Sequence, residues 1–265
     1  MTESKPGTIR YPIAMVILAL FVVGIVVPIV LHQQQWYKDW MYSLPLDIRV
    51  LLHPAMRMVI TVVGWFIVRS MVSEGENINM GLRMPPIHAL NAFMIGFACS
   101  LAMLAFGLFS VPNEVRYTLI YSTLLPGLTE EIFYRAFAFG LLIQAARMNL
   151  WTAAITTAIV FSLAHLVRSD VRAMPTSEMI GWLAMLSAGG LFFAWIYARA
   201  PWNLWVVIAL HAGMNLWWDI LFDNDASPLN NMLMTIARII PVGLAVYFVI
   251  FRGVLRSSEP STIHA

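Results

Sequence analysis

The sequence predicts an all-α, polytopic membrane helix bundle of about eight transmembrane helices, and three observations predict it. Of its 265 residues, 60% are hydrophobic and only 11% are charged, with mean hydropathy +0.76. A soluble domain carries about 25% charged residues to cover its surface. Eight apolar runs approach or exceed the ~20 residues that cross about 30 Å of hydrocarbon. The connections between the later runs are too short for a soluble domain, so residues 1–265 read as a single integral membrane domain. A net charge of +2 without any Lys/Arg run argues against a nucleic-acid partner. The single cysteine, Cys99, lies in an apolar run and reads as a buried structural thiol.

The first run, Ile13 to Leu31, follows a short head containing Lys5 and Arg10. It is longer than a signal-peptide core and no small-x-small site follows, so an uncleaved span is expected. Residues 33–42 mix glutamines with Trp36, Tyr37, Trp40 and Tyr42, as a surface loop anchored in the headgroup layer would. The later spans are Val50–Met71, Ile87–Ser110, Tyr117–Ala145, Trp151–Val167, Met179–Arg199, Trp202–Phe222 and Asn230–Phe251. Pro126-Gly127 interrupts the fourth, where a missing N–H and a loosened backbone predict a break or kink. Thr129 then offers an N-cap for a fresh helix, with Glu130 and Glu131 in its first turn. The tail from about 252 to 265 is expected to be disordered. Eight spans put both termini on one side. The loops on that side hold slightly more Lys and Arg, which places them in the cytoplasm if the protein sits in the cell (inner) membrane.

Three of these runs carry polar groups that lipid penalises. An ionisable side chain at the centre of a span costs roughly 2.5 to 3.5 kcal/mol on insertion scales. Yet Glu130, Glu131 and Arg135 lie in the fourth span, His165 in the fifth, and His211 and Asn215 in the seventh. Glu131 and Arg135 are four apart and can pair on one helical face. Glu130 lies about 100° around the helix from Glu131, which leaves it as the free base. Phe161, one turn before His165, can pack on the imidazole and restrict its rotamer. His211 and Asn215, also four apart, resemble neutral donors for a developing oxyanion.

A buried carboxylate and an imidazole sharing a water can remove its proton. Beside donors for the oxyanion, that activates amide hydrolysis. One glutamate and two histidines (Glu130, His165 and His211) are alternatively the ligand set of a zinc site with an open position. A His-Glu-x-x-His signature is absent, and no cofactor is the favoured reading. A transporter would show broken helices in both halves, and only one candidate break is present.

Glu-Glu-x-x-x-Arg (Glu130, Glu131, Arg135), Phe-x-x-x-His (Phe161, His165) and His-x-x-x-Asn (His211, Asn215), in that order, resemble the CAAX protease and bacteriocin-processing family. These are the Abi, or Rce1-like, intramembrane endopeptidases. The motif-bearing core runs from about 117 to 222. The resemblance implies a helical bundle of typically eight spans that hydrolyses peptide bonds in or at the edge of the bilayer. It implies Glu130 with His165 activating water, His211 with Asn215 as the oxyanion site, and a membrane-anchored peptide or protein as substrate. Family members are described both as metalloproteases and as metal-independent glutamate proteases. Ala136 stands where a glycine often follows the motif arginine. The competing class is a non-enzymatic immunity factor or scaffold on the same fold.

Overall fold

A computed structural model describes residues 8–82, 88–95, 123–167, 169–200, 202–220, 239–240 and 242–248. All regular structure among them is helical. The expected spans at 87–110 and 230–251 are described only in part, and Cys99 and the tail from 252 lie outside the described residues. Three described helices are long and apolar enough to cross a membrane: Tyr11–Gln33, Ile48–Ser70 and Thr176–Arg199. Shorter apolar helices cover Leu150–Ala164 and Leu204–Leu216. The chain is an all-α membrane protein. Two compact units organise it: Met1–Met80 with Ile132–Trp195 and Ser261–Ala265, and Gly81–Glu131 with Ile196–Pro260.

The first unit opens with α1 (Tyr11–Gln33), α2 (Gln35–Ser43) and α3 (Leu46–Ser70). Proline in the first turn of α1 costs nothing, because the first N–H groups of a helix have no acceptor within it. Ile13, Ile17, Phe21, Gly24, Ile25 and Pro28 recur at helical spacing and are the buried face of α1. The segment after it, expected to be a loop, is the helix α2. Tyr37 and Met41, four apart, face inward while Trp36 and Trp40, also four apart, are exposed. Gln35 donates to Asp39 Oδ1 at 2.8 Å across the same turn. An amphipathic period hidden among aromatics favours helix over loop.

Of the break or kink expected at Pro126-Gly127, the break does not occur. Leu124 has helical dihedrals, φ −72° and ψ −43°, and α4 (Leu125–Glu130) follows it directly, with proline in its first turn. Thr129 does not cap a new helix. Its hydroxyl donates to the Leu125 carbonyl one turn back, at 2.8 Å. Instead of breaking, the chain widens. Glu131–Phe139 is a π-helix, wound with i→i+5 hydrogen bonds, before α5 (Gly140–Gln144) resumes the α form.

Glycines on two helices hold the wide segment in the first unit. A Cβ on Gly24 of α1 would meet the Phe133 ring at 2.5 Å, and one on Gly64 of α3 would meet the Phe137 ring at 2.7 Å. The two rings stack with centroids 6.0 Å apart. Asn149 caps α6 (Leu150–Ala164), its side-chain oxygen accepting from the Thr152 N–H. A 3₁₀ turn (His165–Val167) and the short α7 (Ser169–Arg172) lead to α8 (Thr176–Arg199). Ser162 Oγ donates to the Leu183 carbonyl at 2.7 Å, tying α6 to α8.

A polar clip closes this unit outside the spans. The Arg10 guanidinium donates to both Glu76 oxygens at 2.5 and 2.8 Å, and its backbone N–H donates to the Ala146 carbonyl. Arg147 reaches the same carboxylate at 3.3 Å. Arg10's hydrogen bond holds the Glu76 carboxyl below its usual range, and the carboxylate in turn pushes the Arg10 guanidinium up.

In the second unit, α4 packs against α9 (Leu204–Ile220). Asn203 opens α9 by accepting the Trp205 N–H at 3.1 Å. Residues 81–82 are pinned to the same end: Leu204 N–H donates to the Gly81 carbonyl and Trp205 Nε1 to the Leu82 carbonyl.

Candidate active site

Sequence neighbours and helix contacts determine what each motif residue meets. In the second unit, α4 lies close on α9 because position 127 has no side chain. A Cβ on Gly127 would stand 3.1 Å from the Ala212 Cβ, 3.1 Å from its backbone nitrogen and 3.2 Å from the Ile208 carbonyl. Two of those atoms belong to the α9 backbone and the third is a Cβ fixed directly to it, so they yield little. The Pro126-Gly127 pair thus works by permitting close approach, not by breaking the helix.

That approach brings Glu131 to His211, eighty positions along the chain. Glu131 Oε1 lies 2.7 Å from His211 Nδ1, with the glutamate side chain fully buried and the imidazole 12% exposed. A buried carboxylate requires such a partner. When the carboxylate accepts from Nδ1–H, neutral His211 carries its lone pair on Nε2. A second proton on Nε2 turns the ring into a two-ended donor, with its charge set against the carboxylate. Glu130 ends α4 and is half-buried; Asn215 lies one turn beyond His211 and is also half-buried. The sequence gives Glu131 a partner in Arg135; the contact that identifies its environment here is with His211.

In the first unit, Arg135 is a buried cation among rings. Its guanidinium carbon lies 5.0 Å from the Phe161 centroid, 5.3 Å from Phe193 and 5.9 Å from Tyr134. Desolvated cation–π contacts of this kind contribute about 2 kcal/mol or more. His165 closes α6, and its ring meets Phe161 edge-on at 4.8 Å, as its spacing predicts. Its Nδ1 lies 2.8 Å from the Phe161 carbonyl, which can only accept, so the neutral ring again has its lone pair on Nε2. Trp182 of α8 also meets the ring edge-on, with centroids 5.6 Å apart. Phe193, Tyr134 and Trp182 carry no motif of their own, and nothing local in the sequence connects them to Arg135 or His165.

Among the described residues, no group of three or more His, Cys, Asp or Glu side chains is arranged to hold a metal ion.

The family model described as "Type II CAAX prenyl endopeptidase Rce1-like" matches residues 112–217. That segment is similar to the Rce1-like family. It covers less than half of the chain and includes Glu130, Glu131, Arg135, Phe161, His165, His211 and Asn215. The Rce1-like match supports a membrane peptidase of the CAAX type in general. No curated protein matches the chain.

Proposed function

We propose that the chain is an intramembrane endopeptidase that hydrolyses a peptide bond in a membrane-anchored substrate. Glu130 and His165 activate a water, and His211 with Asn215 receives the oxyanion. The observation that carries the reading is the hydrogen bond between fully buried Glu131 and His211. It gives a motif histidine a fixed ring orientation and a reason for a second buried acid. His165, with Nδ1 committed to a carbonyl, keeps Nε2 for proton traffic.

In the proposed reaction, Glu130 takes a proton from water as its oxygen bonds to the scissile carbonyl carbon. The electron pair moves to the carbonyl oxygen, where Nε2–H of doubly protonated His211 and the Asn215 carboxamide donate to it. The C–N bond then breaks, the oxygen reforms its double bond, and the leaving amine takes the proton. Glu131 balances the charge on His211 throughout. The residues do not require a metal for this path; Glu130, His165 and His211 are the ligands of the zinc-dependent alternative.

The test is reconstitution in liposomes with membrane-anchored peptides, followed by mass spectrometry of the products. Wild type should cleave, and Glu130→Gln should lose at least a hundredfold, as loss of a general base predicts. Equal cleavage by both sinks the assignment. Activity lost on chelation and restored by one zinc per chain replaces it with the metal alternative. Intact substrate across a broad panel favours the immunity-factor or scaffold class.

A further inference from the structure

The His165 ring is met from its own helix and from a second one. On α6 itself, the Phe161 carbonyl lies 2.8 Å from Nδ1, and the Phe161 ring meets the imidazole with centroids 4.8 Å and planes 70° apart. Both contacts belong to the last turn of α6, just before the 3₁₀ turn at His165–Val167. Helix ends fray, so contacts within that turn move with it. The contact from α8 is of a different kind. Trp182 meets the same imidazole at 5.6 Å and 72°, and α8 is held against α6 on its own account. The Leu183 carbonyl, next in the chain, accepts from the Ser162 hydroxyl at 2.7 Å. Two turns on, a Cβ on Gly190 would stand 3.0 Å from the Ala158 Cβ and 3.1 Å from its Cα. The indole therefore reaches the imidazole from a fixed place.

Carbonyl and rings constrain different things. The carbonyl selects the edge of the imidazole that donates to it, but a hydrogen bond tolerates a broad range of angles and lets the ring plane pivot. An edge-on aromatic contact depends on the angle between planes. Together they fix both edge and plane, and Nε2 then points one way. A neutral hydrogen bond favours its geometry by roughly tenfold or less, and an edge-on pair adds a factor of about the same size. Neither alone keeps a proton carrier oriented nearly all the time. We propose that Trp182 is a positioning residue: its indole keeps the His165 ring where Nδ1–H stays on the Phe161 carbonyl and Nε2 stays bare. The space left by a missing indole admits rotamers that take Nδ1 off the carbonyl, and the ring then exchanges between its two neutral tautomers. The effect on turnover rests on the peptidase reading; the effect on the tautomer rests on the ring geometry alone.

Nitrogen-15 NMR of the full chain in nanodiscs, with labelled histidine rings and at a pH high enough to keep them neutral, reads the tautomer without substrate. The His165 signals are those that His165→Gln removes. Wild type should show one tautomer, Nδ1–H with bare Nε2. Trp182→Ala should show both, and Trp182→Phe, which keeps a ring, should restore most of the wild-type pattern. If Trp182→Ala does not fold, Trp182→Leu decides, since it keeps apolar bulk and loses the ring. In the liposome assay the Ala and Leu variants should lower kcat by about tenfold, the scale of one edge-on aromatic contact. KM should stay near wild type, and Trp182→Phe should recover most of the rate. Mixed tautomers in wild type, or a single Nδ1–H tautomer in the Ala or Leu variant, overturn the proposal. So does a loss of turnover carried by KM alone. A wild type that holds one tautomer and cleaves no peptide sinks the peptidase reading and leaves the indole's hold on the ring standing.

Discussion

At the scale of single residues, the two adjacent glutamates differ in what surrounds them. Glu131 is fully buried against His211, whereas Glu130 is half-buried at the end of α4. Replacing Glu131 by Gln removes the charge that faces the imidazole, a loss on the order of 1.5–3 kcal/mol for a charged hydrogen bond. Thermal melting in detergent should therefore fall clearly for Glu131→Gln and stay near wild type for Glu130→Gln, while turnover collapses in the second. Equal melting and equal turnover in the two variants would contradict this division. The motif residues themselves were readable from the sequence, because charge in an apolar run is conspicuous. The Glu131–His211 contact was not, since no periodicity links positions eighty residues apart. The rings around Arg135 were hidden for a related reason: Phe193 and Tyr134 look like any other apolar residue of a span.

At the scale of elements, the apolar runs gave α1, α3, α8 and α9 with boundaries shifted by a few residues, because length and hydropathy suffice for a membrane helix. Two local readings failed, one wholly and one in its expectation of a break. The aromatic segment after α1 is helical, and Pro126-Gly127 sits inside a continuous helix. In both cases a tertiary fact, an inward Tyr37–Met41 face or a neighbour that needs position 127 bare, outweighed the local propensity. Gly127→Ala should thus cost about 1–3 kcal/mol, the usual penalty of overpacking, and should reduce turnover by displacing Glu131 from His211. Gly181→Ala, in α8 with nothing within 4 Å, is the control. It should stabilise by up to about 1 kcal/mol. Chemical denaturation of both variants measures the difference, and a Gly127→Ala protein as stable as the control would refute the close-approach argument.

At the scale of the whole molecule, membrane residence was plain from composition, while the number of crossings is a proposal of eight. Reporter fusions near residues 5 and 258 should give the same signal if that number is even; opposite signals mean a miscounted span. Acid sensitivity is a second property of the assembled chain. The Glu76 carboxyl has its range lowered in the fold by Arg10, first through the hydrogen bond. A group lowered on folding contributes stability above its unfolded pKa, about 4.3 for glutamate. That contribution is lost as pH falls through the lower, folded value. Melting temperature should therefore drop below about pH 4, and Glu76→Gln should be less stable at neutral pH but show a smaller acid-dependent fall. A Glu76→Gln protein with the wild-type pH profile would exclude the clip as the cause.

The π-helix at Glu131–Phe139 has a consequence for how the chain tolerates length change. A helix wound i→i+5 stores a supernumerary residue relative to the α form. Deleting one residue there need not sever the helix; it lets the segment relax to the commoner winding. What is lost is phase. Side chains between the deletion and the point where the α form resumes each move up one position, while α5 keeps its register because the lost winding absorbs the lost residue, so the aromatic setting of Arg135 and the glycine slots for Phe133 and Phe137 no longer meet their occupants. A deletion mutant should therefore remain helical by circular dichroism and insert normally, yet be catalytically silent. A one-residue indel here would act as a rotary switch, not a truncation.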